Sequence, residues 1–186
     1  MILRENKTLQ EFKQESIEET LIKQKEQLGN MFEKQKELDE RILNGDKYHY
    51  REVLMALFVE LGEFMNEIPT KFKYWKKSAK DDYEKALEEY VDCLHFAMSL
   101  AIAEEKGLYR CKEYCKCYDA VQSEYFSHTY RCDYFDMMII ILDAYGIVRV
   151  QKLFELGIVV GFTWDEIYNM YLKKNKINHK RQDNKY

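Results

Sequence analysis

The chain has 186 residues and a formal net charge of -4, and 46% of its residues are hydrophobic, enough to build the core of one domain. The net negative charge excludes the broad basic footprint of a duplex-DNA binder, while positive charge concentrated at Lys71–Lys77 and Lys173–Lys185 leaves small anionic ligands open. A mean hydropathy of -0.58 and the lack of a long charge-free apolar run exclude a membrane span, and seven Gly with one Pro are too few turns for a sheet protein.

An all-α helical bundle is therefore expected. The first residues, MILRENKTLQEFKQ, contain no apolar signal-peptide core. Five cysteines, an odd number without framework spacing, suit a reducing cytoplasm. Cys111, Cys115 and Cys117 lie close together but lack a fourth ligand nearby to complete a zinc motif, so they read as free thiols.

Along the chain, residues 1–28 carry spaced Leu9, Phe12, Ile17, Leu21 and Leu28, which predicts one or two edge helices. Another helix follows over Met31–Leu43, stopped by Asn44-Gly45. The next is predicted from Tyr48 to Ile68 and ends before Pro69. Thr70–Lys77, TKFKYWKK, reads as a loop mixing aromatics and lysines. Asp81 with Glu84 forms a capping-box pattern for a helix running to Glu105, broken by Gly107. Residues 109–128 have no clean periodicity. Two helices then flank Gly146, and Thr163 with Glu166 opens the last, WDEIYNMYLKKNKI. The polar end, NHKRQDNKY, is expected to be unstructured unless a ligand holds it.

The chemistry concentrates in Glu60 and Glu63, within LMALFVELGEFMNEI, and Glu89 and Asp92, within ALEEYVDCLHFAMSLAIA. Residues three apart share a helix face, so each pair converges on one spot. Carboxylates in apolar surroundings need a positive partner, and hard divalent cations favour oxygen ligands. Ordinary surface acids are the competing reading, but that face carries Ala56 and Val59 where a solvated face would mix in lysines. Asp92 is flanked by Val91, Cys93, Leu94 and Phe96. His95 fits a metal ligand, a substrate contact or a core histidine. A ferritin-like di-iron site would need a second Glu-x-x-His, which is missing. An all-oxygen set points to Mg2+, with Mn2+ as substitute. No Walker loop is present, so phosphate binding would fall to metal and basic side chains.

At these residues the chain resembles the all-alpha, dimeric dUTP diphosphatases, relatives of the MazG-type nucleoside triphosphate pyrophosphatases. The shared pattern is Glu-x-x-Glu, a gap, then Glu-x-x-Asp, here Glu60 to Glu63 and Glu89 to Asp92. FEKQKELDERI (32–42) is similar to the family's first helix. LFVELGEFMNE with FKYWKK resembles its first metal helix and aromatic-lysine extension, and LEEYVDCLHFAMSL (87–100) its second metal helix. YLKKNKINHKRQDNKY (171–186) is similar to a C-terminal motif Lys-Asn-x-x-Asn-x-x-Arg-Gln-x-x-Gly-Tyr, except that Lys185 stands where the family has Gly. Residues 1–28 have no recognised counterpart and read as an extension of a single domain spanning 1–186.

The resemblance implies Mg2+-dependent hydrolysis of dUTP, and dUDP, to dUMP by a homodimer, with no nucleic-acid or membrane partner. It names no regulatory protein. Glu60, Glu63, Glu89 and Asp92 would hold the metal, and Glu60 would take the proton of the attacking water. Lys174, Arg181 and Lys73 would cover phosphate oxygens, while Gln35 and Asn178 would meet the uracil edge. His95 and Phe96 fall among the family's base-pocket residues; Phe72, Trp75 or Phe96 would stack the base, and Arg181 and Tyr186 sit on a tail suited to closing over substrate. Two other readings follow from the same residues. One is a relative acting on dCTP or damaged nucleotides, and the other a non-catalytic helical interaction protein.

Overall fold

A computed structural model describes residues 9–105 and 134–184, and these are all helical or loop, without a strand. The expectations for Gly107, residues 109–128, the cysteines at 111, 115 and 117, Lys185 and Tyr186 lie outside the described residues. The helices are α1 (Leu9–Leu43), α2 (Tyr50–Glu67), α3 (Tyr83–Glu105), α4 (Tyr134–Asp143), α5 (Ile147–Val160) and α6 (Trp164–Asp183). None of them is long and apolar enough to cross a membrane.

Helix α1 corrects the expected break near residue 29: it is one uninterrupted helix. Gly29 costs a helix only about 1 kcal/mol, and a buried stripe of Gln24, Leu28, Met31, Phe32, Gln35 and Leu38 runs straight past it. The stop arrives where expected, with Asn44 and Gly45 both at positive φ and the Asn44 amide bonded to the Glu40 carbonyl.

Helices α2 and α3 pack antiparallel: Tyr48 meets Ser99, Tyr50 meets Glu104, and the Phe64 ring lies edge-on to Tyr90. Leu57, Leu61, Phe64, Leu94 and Met98 are fully buried along this seam. Between them Pro69 opens a short 3-10 turn. The expected Asp81 cap is displaced by one residue. Asp82 accepts the Lys85 amide at 3.1 Å, while Asp81 turns back to the amide and hydroxyl of Thr70 at 3.0 and 2.6 Å. Two adjacent aspartates offer the same cap, and the loop's need for one of them decides the register.

Helix α6 runs parallel to α1, through Trp164–Gln27, Tyr171–Met31 and Asn175–Lys34 hydrogen bonds. Its Thr163–Glu166 capping box forms as expected. Its far end does not match the expectation of an unstructured tail, because the helix continues to Asp183. Arg41 of α1 bonds both His179 and Asp183, giving that polar end a tertiary partner. A buried ion pair closes the other end of the bundle. Both Glu104 oxygens accept from Arg149, while Tyr50 and the Gly146 amide also donate to Glu104, joining α2, α3 and the α4–α5 turn.

Candidate functional site

The antiparallel α2–α3 pair turns the two carboxylate pairs toward each other. Oxygens of Glu60, Glu63 and Glu89 lie within 4.8 Å of one another. Asp92, one turn beyond Glu89, is held by the Lys174 ammonium of α6 at 2.5 Å. Burial and then the neighbouring carboxylates, Asp92 first, push Glu60 from 4.5 up to about 7, against the opposing pull of Lys174. Burial also raises Glu89 and Asp92, again opposed by Lys174. The cluster thus has more negative charge than one lysine offsets, and its donors are all carboxylate oxygens. That set fits Mg2+ or Mn2+. Cys93 behind it is fully buried, and burial raises its thiol far above the ordinary value, so it offers no thiolate ligand. His95 is not part of this group, and its Nδ1 is hydrogen-bonded to Gln35 at 2.7 Å.

A cavity of about 440 Å³ shares Glu60 with that three-carboxylate group, and Asp92, which lies outside the group, Gln35, Asp39, Tyr48, His95, Phe96, Ser99, Asn178 and Arg181 also line it. Its size suits a nucleoside-sized ligand. A polar chain crosses its wall. Gln35 donates from Nε2 to Asp39 at 2.7 Å, its Oε1 meets His95 Nδ1 at 2.7 Å, and the Tyr171 hydroxyl reaches Oε1 at 3.1 Å. The Tyr171 ring stacks on His95 with centroids 4.3 Å apart. Burial, aided by Lys174, lowers His95 to about 3, so its ring is neutral. Burial raises Asp39 to about 6 despite hydrogen bonds from Gln35 and Ser99, and it is ionised at neutral pH.

Most of the residues singled out from the sequence meet around this cavity. Gln35 and His95 are buried in its wall, Phe96 is half-buried beside them, and Arg181 donates to Asn178 at 3.2 Å. Phe72, Lys73 and Trp75 do not line it. They form a separate exposed group on the loop after Pro69, with Phe72 edge-on to Trp75 and Lys73 bonded to Asn66. Tyr186 lies outside the described residues. The sequence reading missed Asp39, Tyr48, Ser99 and Tyr171. Asp39 and Ser99 each lie one helical turn beyond a chosen residue, Gln35 and His95, and that spacing was the available signal.

A family model described as dUTPase matches residues 27–186. The chain belongs to the all-alpha dUTPase family. It is accordingly an enzyme, a dUTP diphosphatase. The match begins within α1, and it takes in all four carboxylates and every cavity residue named above. A search of curated proteins found no match.

Proposed function

We propose that the protein hydrolyses dUTP, and dUDP, to dUMP with Mg2+ held by Glu60, Glu63, Glu89 and Asp92. The observation that carries this reading is the convergence of carboxylates from α2 and α3 beside a nucleoside-sized cavity in a chain of this family. A bound divalent cation neutralises phosphate oxygens and makes water a better nucleophile at neutral pH. Glu60, which both belongs to the carboxylate group and lines the cavity, is the residue assigned to take the proton from the attacking water. Lys174, now paired with Asp92, and Arg181, both on α6, would cover phosphate oxygens. Gln35, His95 and Asn178 read the uracil edge while Phe96 packs on the base and sugar. Phe72, Lys73 and Trp75 reach the nucleotide only when their loop closes over it, and Tyr186 is assigned to the substrate by its place in the C-terminal motif.

The enzyme works as a homodimer in the cytoplasm. Met55, Phe58 and Val59 on α2 and Phe135 and Ile139 on α4 are large apolar side chains left exposed, which supports a second copy as their cover. The site assignment is tested by turnover of Glu63→Gln and Asp92→Asn at saturating Mg2+. Loss of at least 100-fold in kcat is expected, on the scale of removing a charge-stabilising group. Full turnover in both variants would contradict the metal site.

A further inference from the structure

Gln35 and His95 can each face a base in two ways. An amide turned by half a rotation exchanges its donor and acceptor, and a neutral imidazole carries its proton on either nitrogen. In this protein the surroundings decide both. The Asp39 carboxylate only accepts, so it demands the Gln35 Nε2–H at 2.7 Å. That turns Gln35 Oε1 to His95 Nδ1, also at 2.7 Å, and obliges His95 to donate from Nδ1. The Tyr171 hydroxyl has one proton within reach of both the Met31 carbonyl at 2.9 Å and Gln35 Oε1 at 3.1 Å; it can donate to Gln35 or, while donating to Met31, accept from it, so it does not decide the amide orientation. Only Asp39 rejects the turned one. His95 Nε2 is left as a lone pair, buried and without a hydrogen-bond partner in a residue just 4% exposed.

We propose that Asp39 is a specificity-determining positioning residue, fixing through Gln35 a donor and an acceptor that match uracil and oppose cytosine. Gln35 keeps a second Nε2–H, and His95 keeps the Nε2 lone pair. Uracil offers an N3–H beside the O4 acceptor, which pairs with both. Cytosine offers a lone pair at N3 beside an amino group, so donor meets donor and acceptor meets acceptor. A carboxylate that never touches the base thereby sets which base is read.

This rests on the dUTP reading above, and two measurements on the full chain separate the two. The first is the 15N spectrum of the His95 ring in the wild-type protein, assigned with His95→Gln. A proton on Nδ1 is expected, and a proton on Nε2 overturns the proposal whatever the activity. The second is kcat/KM for dUTP and dCTP in Asp39→Asn, whose amide accepts either orientation of Gln35, and in Asp39→Ala. The dUTP-to-dCTP ratio should fall on the order of 10- to 100-fold in both, since a mismatched hydrogen-bonding site discriminates by at least that much. Equal losses for both nucleotides, with the ratio kept, would make Asp39 merely structural and overturn the proposal. An enzyme without dUTP turnover would refute the function, while the ring spectrum still tests the relay.

Discussion

Glu60→Gln should stabilise the metal-free protein. Glu60 sits among Glu63, Glu89 and Asp92, and its carboxyl is held at about 7 where an isolated one stands at 4.5. That difference corresponds to about 3 kcal/mol of cost for keeping the group ionised. Solvent reaches the half-exposed side chain and screens it, which reduces the figure to about 1–2 kcal/mol. Because the folded value is raised, the cost is absent below about pH 4.5 and complete above pH 7. Wild-type stability in EDTA therefore falls as pH rises through that window. Glu60→Gln removes this component, so the variant should melt about 2–6 °C higher at pH 8 and converge with wild type near pH 4.5. Adding Mg2+ should reverse the order, because the wild-type cluster gains binding energy that the variant lacks. The assay is thermal unfolding followed by circular dichroism across pH, with EDTA or Mg2+. A variant no more stable than wild type at pH 8 in EDTA would refute the electrostatic account of the cluster.

Lys174→Met leaves Asp92 without its ammonium, so melting in EDTA should fall and Mg2+ should restore much of the loss, as thermal unfolding would register. Arg149→Met strands Glu104 in a pocket where both partners are only 2% exposed. Chemical denaturation should show a loss of about 3–5 kcal/mol, and a loss below 1 kcal/mol would mean that solvent reaches the pair. Thr163→Ala breaks the α6 capping box and should cost about 1 kcal/mol in the same denaturation assay.

The parts of this molecule that could be read from its sequence are those decided locally. Apolar spacing located most of the described helices, and the spacing of Glu60 with Glu63 and Glu89 with Asp92 announced the site because each pair lies within one helical turn. Tertiary partners decided the rest. Gly29 looked like a boundary until α1 had a core to bury across it. The 178–183 segment is polar and looked like a loose end, yet Arg41 holds it against α1. Glu104 and Arg149 are 45 positions apart, and nothing in either neighbourhood pointed to the other. Asp39 drew no reading from the sequence, because its meaning depends on which way Gln35 must turn.

The most direct measurement is pyrophosphate release from dUTP, dCTP, dTTP and UTP, each with Mg2+ and with EDTA. The account predicts turnover of dUTP that is abolished by EDTA, with little release from the other three. Comparable release from several nucleotides would contradict uracil recognition, and no release from dUTP with Mg2+ present would contradict the account at its centre.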